Sequence, residues 1–425
     1  MEILIKQAEI IDSRSSYNGQ IKDVLILNGK VSKIEENIEA PEAIMISLKG
    51  LQLSPGWIDL YADFQDPGFE QKEDIESGLS AAAAGGFTAV CVASTTQPER
   101  DSKGQVEYLL NRSKSHLVNC LPYACVSKEA KGKELAEFYD LHKAGAVAYS
   151  DSKRSIQNPN LLKNALLYAK SFDGLVVNFP HTAEMAAKGV MNEGKVSTAL
   201  GLNGMPELAE SLMVERDIHI NEYVGGKLHF NTISAAQSID LIKNAKANKQ
   251  NVSCDVASYQ LLLDDTNLIE FDTRFKTLPP LRSKETIERL IEGIKSGTID
   301  AISSNHIPED VEAKKKEMDH AAFGIINLQT AFAAAWTALE GKVTLTRLID
   351  LLTYGPSKVL GIDKQSVEEG AIADFTLFAS SQDFTLKEEM VTSKSFNSPF
   401  MNKSLKGKVV GVIKEQQMLL NEPIQ

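Results

Sequence analysis

The chain has 425 residues, of which 43% are apolar and 24% are charged, and this composition excludes a disordered or fibrous protein. Its formal net charge of -12 argues against nucleic acid or an anionic membrane as a partner, because both require a basic surface. The four cysteines form no C-x-x-C pair, and no apolar run is long enough to cross a membrane. We therefore expect a cytoplasmic protein with free thiols.

Alternating apolar and polar side chains predict short strands near both ends of the chain, at residues 2–6, 23–27, 30–34, 373–378 and 408–413. The pair Asn28-Gly29 between two of these runs is a strong signal for a hairpin turn. We predict that residues 1–54 and 358–425 fold together as one composite β-sandwich domain.

The middle of the chain, residues 55–357, alternates short apolar strands with helical segments. Strand-like runs include residues 88–92, 175–177 and 301–303, and residues 284–295 have the period and charge pattern of an amphipathic helix. Repeated strand–helix units are typical of a parallel sheet covered on both faces, and its common closed form is a barrel. The predicted fold class is therefore α/β, a (β/α)8 TIM-type barrel with the composite β-sandwich attached.

Several motifs follow one another along the barrel segment. The sequence reads PGWIDLYADFQDPG at residues 55–68, KEDIESG at 72–78, AAAGGFT at 82–88, GAVAYSD at 145–151, MNEG at 191–194 and PPLR at 279–282. On these motifs the chain resembles the dihydroorotase branch of the amidohydrolase superfamily, whose members read PGFIDLHVHLREPG at the first of them. The resemblance extends over essentially the whole chain. It implies a barrel protein of pyrimidine biosynthesis, the hydrolysis of a cyclic amide, and a homodimer.

Members of this family hydrolyse the amide with bound metal, which lowers the pKa of a water molecule and polarises the carbonyl. The resemblance places two of their metal-binding histidines, in an H-x-H pair, at Tyr61 and Asp63. Two later histidine ligands match Phe179 and Thr232. Imidazole is therefore absent from all four positions, and we expect no bound metal and no other cofactor.

One family ligand is retained and another is close in sequence. Asp151 matches the bridging carboxylate of the SD motif. His181 lies two residues after Phe179, and a small insertion or deletion would bring it to the ligand position. Because three ligands and an open position suffice for zinc, Asp63, Asp151 and His181 are an alternative, rebuilt zinc site.

These carboxylates also have purely structural interpretations. A lone carboxylate at the end of a strand more often caps a helix or pairs with a lysine, and Lys153 is the candidate partner of Asp151. Asp63 in the same way is expected to be solvated at the barrel mouth or to pair with Lys276 or Arg282.

The catalytic base and the substrate contacts of the family are replaced as well. Asn305 stands at the position of the general base and has no basic lone pair at neutral pH. Glu309 replaces a histidine that faces the substrate, where its charge is expected to repel an acidic compound. Gln65 replaces the arginine that clamps the substrate, and Thr95 and Leu278 replace two asparagines that frame it.

Three functions remain open from the sequence. The first is an inactive dihydroorotase homologue that is a structural partner of aspartate transcarbamoylase, a role known for inactive relatives within the family. The second is a working dihydroorotase or another cyclic amidohydrolase with the rebuilt metal site. The third is a non-enzymatic binding or scaffold protein, and a small-molecule sensor that uses the old pocket also remains open.

Overall fold

The computed structural model describes residues 2–422 and divides them into eighteen strands and twelve α-helices. The strands are β1 Glu2–Ile10, β2 Ile21–Leu27, β3 Lys30–Glu35, β4 Ile44–Ser47, β5 Gln52–Pro55, β6 Trp57–Ala62, β7 Phe87–Val92, β8 Asn119–Ala124, β9 Ala148–Tyr149, β10 Leu175–Asn178, β11 Met191–Asn192, β12 Gly204–Met205, β13 Lys227–Phe230, β14 Val252–Ala257, β15 Ala301–Ser303, β16 Asp374–Thr385, β17 Ser404–Lys414 and β18 Gln417–Leu420. The helices are α1 Ile75–Ala84, α2 Lys103–Ser113, α3 Phe138–Ala144, α4 Pro159–Lys170, α5 Lys195–Leu200, α6 Leu208–Val224, α7 Ala236–Ala247, α8 Lys284–Lys295, α9 Val311–Lys314, α10 Ala331–Leu339, α11 Leu345–Leu352 and α12 Tyr354–Leu360.

The two ends of the chain build one eight-stranded sheet. Its strand order is β18-β17-β16-β5-β1-β2-β3, and β4 pairs with β1 beside that path. The ends join where β16 runs antiparallel to β5, with Phe375 opposite Pro55. Alternating side chains such as Ile3, Ile26 and Phe375 fill the core of this composite β domain. Leu4 and Leu25, on the opposite faces of β1 and β2, are buried in a smaller apolar cluster, so both faces of these two strands are covered.

The middle of the chain forms the predicted (β/α)8 TIM-type barrel. Eight parallel strands follow one another in the order β15-β14-β13-β10-β9-β8-β7-β6. A bridge between Ala62 and His306 joins the first strand to the segment after the last one and brings the sheet close to closure. Leu60, Cys91 and Tyr123 fill the interior of the barrel, so the barrel is a packed core rather than a pore.

Aromatic packing fuses the β domain to the barrel. The ring centroid of Trp57, at the start of β6, lies 4.8 Å from the ring centroid of Phe332 and 5.5 Å from that of Phe378. Gly86 has a φ of +91°, and a Cβ at this position would come within 2.7 Å of the Trp57 ring. Glycine is therefore required both for the backbone conformation and for this close approach.

The carboxyl ends of the barrel strands position the candidate site residues. Asp63 follows β6, Asp151 follows β9, Phe179 follows β10, Thr232 follows β13 and Asn305 follows β15. Carboxyl ends of parallel barrel strands meet at one face, where barrel enzymes carry their active sites. We call this face the barrel mouth. In the part of the chain that is described, no helix has the length and apolar character of a membrane span.

Candidate functional site

A lysine amine lies in the barrel mouth, in contact with residues of β6 and of the segments after β10 and β13. The Nζ atom of Lys153 lies 4.4 Å from the centroid of the Tyr61 ring and 4.5 Å from that of the Phe179 ring. It also donates hydrogen bonds to Thr232 Oγ1 at 3.2 Å and to Asn231 Oδ1 at 3.3 Å. Burial lowers the pKa of Lys153 to about 7, and the nearby carboxylates only partly oppose this effect.

Asp63 is buried and is held by its own loop. Its carboxylate accepts hydrogen bonds from the Gln65 backbone N–H at 3.2 Å and from Gln65 Nε2 at 3.1 Å. Burial raises the pKa of Asp63 to about 6, and the Glu309 carboxylate adds to the increase. The expected pairing with Lys276 or Arg282 is wrong. Lys276 donates to a backbone carbonyl at 2.6 Å, and Arg282 belongs to another cluster.

Asp151 stabilises a neighbouring loop. Its Oδ1 accepts hydrogen bonds from the backbone N–H groups of Val126 and Ser127 at 2.8 and 3.0 Å, and its Oδ2 accepts one from the Ser127 hydroxyl at 2.5 Å. Burial raises the pKa of Asp151 to about 6. The expected ion pair with Lys153 is not formed, because that amine turns towards the mouth. Asp151 therefore acts as a cap for the segment after β8.

His181 lies beside the mouth and stacks on Phe179, with 5.5 Å between the ring centroids. Burial lowers the pKa of His181 to about 4, and the positive charges of Arg282 and Lys153 add to the effect. Within residues 2–422 there is no cluster of three or more His, Cys, Asp or Glu side chains that could hold a metal. The alternative zinc site of Asp63, Asp151 and His181 is therefore not assembled.

The residues at the positions of the catalytic base and the substrate-facing histidine are engaged with their neighbours. Asn305 Nδ2 donates to the Tyr259 hydroxyl at 2.6 Å, whereas its buried Oδ1 has no hydrogen-bond partner in the described structure. Glu309 Oε2 lies 2.8 Å from Lys72 Nζ. Burial raises the pKa of Glu309, and this lysine partly offsets the increase. The open negative charge expected at Glu309 is thus compensated by a cation.

The positions of the family's substrate contacts carry no charge here. Gln65 uses its amide to hold Asp63 rather than to reach outward. Leu278 packs against a small apolar cluster that includes Met205, and Thr95 is partly buried on the loop after β7. None of these three side chains offers the fork of donors with which an arginine binds a carboxylate.

Sequence reasoning missed two residues of the mouth. Lys153 entered only as a partner for Asp151, although a lysine two residues beyond a strand-end carboxylate is a signal for the mouth itself. Asp255 was not considered. Its Oδ2 lies 2.8 Å from His229 Nε2, and its Oδ1 accepts a hydrogen bond from Ser303 at 2.6 Å. Burial opposes ionisation of Asp255, but these hydrogen bonds outweigh it and hold its pKa below the usual value.

The side chains at the four family ligand positions do not suit a metal ion. Zinc is bound by thiolate, imidazole or carboxylate groups. Burial raises the pKa of the Tyr61 phenol well above its usual value, so it stays protonated. Phe179 has no lone pair, and the Thr232 hydroxyl is already bonded to Lys153. Asp63 is the one anionic donor among the four.

Comparison with known proteins places the chain in a family. The model of the Dihydro-orotase-like family matches residues 50–238. A dihydroorotase of Syntrophus aciditrophicus is 38% identical over 426 residues, which cover 99% of this chain and 100% of that protein. A dihydroorotase of Acetivibrio thermocellus is 37% identical over 425 residues, with coverage of 99% and 100%.

Solved structures of related barrels superpose over nearly the full length. The dihydropyrimidinase of Brevibacillus agri matches with a TM-score of 0.83 and 21% identity, and covers 99% of this chain and 95% of its own. The L-hydantoinase of Arthrobacter aurescens matches with a TM-score of 0.85 and 21% identity, with coverage of 100% and 97%. These structures support the fold, and the full-length sequence relatives show that the chain belongs to the dihydroorotase-like family of the amidohydrolase superfamily.

Proposed function

We propose that this chain is a catalytically inactive dihydroorotase homologue of pyrimidine biosynthesis, and that it acts as a structural partner of aspartate transcarbamoylase. The observation that carries the proposal is the donor set of the mouth. Tyr61, Phe179 and Thr232 stand where the resemblance places histidine ligands of catalytic relatives, and all three contact the amine of Lys153.

The replacement of the metal ligands and the general base matters because of what amide hydrolysis requires. The reaction needs an activated water molecule, a polarised carbonyl and a group that accepts the proton of the water. Asn305 cannot accept that proton, and its Nδ2 is committed to Tyr259. The carboxylate of Asp63 is buried and already accepts two hydrogen bonds from Gln65. Neither the metal-bound water nor its base is therefore supplied by this mouth.

An exposed apolar surface supports the role of a structural partner. Leu208, Leu212 and Tyr223 are exposed on one side of α6, with 47%, 40% and 82% of their surfaces accessible, and Leu167 of α4 is 49% exposed. We call these four residues the α4–α6 face. Exposed Glu215 and His219 lie between Leu212 and Tyr223 along α6. Exposed apolar side chains among polar ones are typical of protein-binding surfaces. The face provides a place for aspartate transcarbamoylase or, as the competing occupant, for a second copy of this chain.

Restoring the first ligand pair tests the loss of catalysis. The variant Tyr61→His/Asp63→His regains the family H-x-H motif but keeps Asn305. We expect no dihydroorotate turnover with added zinc, because the base is still missing. The companion variant that adds Asn305→Asp is expected to stay inactive as well, because Phe179, Thr232 and Lys153 are unchanged. Turnover by the double variant would show that the base is dispensable and would contradict this explanation.

Sedimentation of the chain with aspartate transcarbamoylase from the same organism tests the partnership. We expect a complex that Leu212→Glu weakens at least about tenfold, since a buried charge in an apolar interface is strongly unfavourable. The matched control is Ile21→Glu, an exposed isoleucine of the β domain, which should leave the complex unchanged. Absence of a complex would reject the partnership. A self-dimer broken by Leu212→Glu would assign the α4–α6 face to a second copy.

A second candidate function is the binding of a small molecule in the old pocket. Gln260, in the segment after β14, is buried with both side-chain polar atoms lacking a partner in the described structure, as is Oδ1 of Asn305. Buried polar atoms without partners are costly, and a ligand or ordered water would satisfy them. Thermal unfolding with dihydroorotate and with carbamoyl aspartate tests this function, and an unchanged melting temperature with both would argue against it.

A further inference from the structure

Three of the four positions that match metal ligands in catalytic relatives converge on a single atom. The centroids of the Tyr61 and Phe179 rings lie 4.4 and 4.5 Å from Lys153 Nζ, and Thr232 Oγ1 lies 3.2 Å from it. We propose that the amine of Lys153 occupies the place of the metal ion and excludes metal from the barrel mouth. The inference rests on the proposed loss of catalysis, but its test measures metal binding instead of turnover.

The contacts of Lys153 differ from those of an ordinary ion pair. Its hydrogen-bond acceptors are the neutral oxygens of Asn231 and Thr232, and two aromatic faces enclose the rest of the amine. Aromatic faces attract a cation through the ring quadrupole. The carboxylate nearest in sequence, Asp151, is saturated by three hydrogen bonds from Val126 and Ser127. Lys153 is therefore directed to the mouth by its surroundings there.

The space around the amine is the space that a metal bound at these positions would need. The Thr232 hydroxyl and the ring faces of Tyr61 and Phe179 already contact Lys153 Nζ. A metal ion at the same place would have to displace the amine from these contacts. Lysine and metal thus compete for one position, and adding imidazoles alone leaves the amine in place.

The experiment compares zinc binding by a double variant, by the same variant with Lys153 removed, and by a control with another lysine removed. Tyr61→His/Thr232→His replaces two side chains that now contact the amine, and together with Asp63 it provides three donors of the kind that zinc requires. The second protein adds Lys153→Ala. The control adds Lys163→Ala instead, which removes a lysine of α4 outside the mouth. Zinc per chain is measured by mass spectrometry after equilibrium dialysis, together with the melting temperature with and without zinc.

We expect stoichiometric zinc and a zinc-dependent rise in melting temperature only for the protein that carries Lys153→Ala in addition to Tyr61→His/Thr232→His. The double variant and the Lys163→Ala control should bind at least about tenfold more weakly, a difference of about 1.4 kcal/mol. Equal zinc binding by the double variant with and without Lys153 would overturn the proposal. So would the absence of zinc from all of them, because the amine would then not mark a metal position. Circular dichroism verifies folding, and Lys153→Ser replaces the alanine version if the latter does not fold.

The zinc-binding test of Lys153 and the turnover test of the proposed function can fail independently of each other. If wild-type protein hydrolyses dihydroorotate, the loss of catalysis is wrong whatever the variants bind. If wild-type protein is inactive and the double variant takes up zinc despite Lys153, the role of Lys153 is wrong and the inactive homologue stands.

Discussion

Two polar regions at the carboxyl end of the barrel differ in how completely their hydrogen bonds are satisfied. Arg282 donates to Asn192 at 3.0 Å, to the Met205 carbonyl at 2.9 Å and to Ser234 at 3.0 Å. Glu210 accepts hydrogen bonds from the backbone and hydroxyl of Ser234 and from other groups of the same loop. We call this group the Arg282 cluster.

The barrel mouth is less completely paired. Asn305 Oδ1 is buried without a partner in the described structure, and Lys153 meets neutral oxygens and ring faces. Arg282 and Asn192 belong to the PPLR and MNEG motifs of the family, whereas the mouth positions depart from it. The motifs that the chain shares with the family thus take part in the hydrogen bonds that hold the barrel together. On the proposed loss of catalysis, we expect the positions that depart from the family pattern to be those whose residue type the chemistry requires.

Removing Arg282 from its cluster should cause the largest loss of unfolding free energy. Arg282→Ala should lower the free energy of unfolding by about 3–5 kcal/mol, because it leaves buried acceptors and the Glu210 carboxylate without a cation. Urea unfolding measures this loss. The control is Arg289→Ala, which removes an exposed ion pair with Asp240 and should cost at most about 1 kcal/mol. Equal losses for the two variants would remove the distinction between cluster and surface.

An effect of intermediate size on the unfolding free energy is expected from replacing Asp59, which lies beneath the mouth on β6. Its carboxylate accepts hydrogen bonds from Ser304, but burial raises the pKa of Asp59 to about 7. Between about pH 4 and pH 7 the folded chain keeps a proton that the unfolded chain has released, so this group lowers stability as the pH rises. Above that range the penalty is complete.

Asp59→Asn removes this penalty and isolates it from other buried acids. The variant should gain on the order of 2 kcal/mol relative to wild type on going from about pH 5 to about pH 8. Urea unfolding of both proteins at the two pH values gives the difference directly. A difference that does not change with pH would mean that Asp59 is ionised throughout and that the barrel interior solvates its charge.

The smallest effect is expected in the mouth itself. Asn305→Ala removes a hydrogen bond to Tyr259 and a longer one to the Leu278 carbonyl, and it places alanine at a φ of +46°, but it also removes an oxygen that has no partner in the described structure. The change in unfolding free energy should therefore stay within about 2 kcal/mol. Urea unfolding beside Arg282→Ala makes the comparison. A loss as large as that of Arg282→Ala would place Asn305 among the residues that hold the barrel together.

The fold could be predicted from the sequence because its signals are local and repeated. Alternation in the terminal strands and strand–helix units between them give the barrel and the composite β domain before any contact is known. The mouth positions could also be placed, since each follows a strand end. The partners of Asp151 could not, because Val126 and Ser127 come from the loop after β8 and no local pattern links them.

The position of the Lys153 amine depends on the tertiary structure, which the spacing of residues along the sequence does not reveal. Lys153 reaches Thr232 across 79 positions of sequence, and only the arrangement of β9, β10 and β13 brings these side chains together. A long flexible side chain has many rotamers, and neighbouring rings and oxygens select one of them. For the same reason the pair of His229 and Asp255 required the register of β13 against β14.

The proposed loss of metal binding and catalysis is tested most directly by the metal content of untagged wild-type protein, measured by mass spectrometry together with dihydroorotate turnover in added zinc. We expect zinc far below one ion per chain and no turnover above the rate without protein. Stoichiometric zinc accompanied by turnover would contradict this expectation. The mouth around Lys153 would then have to rearrange to bind metal, and His181 would be the first residue to replace.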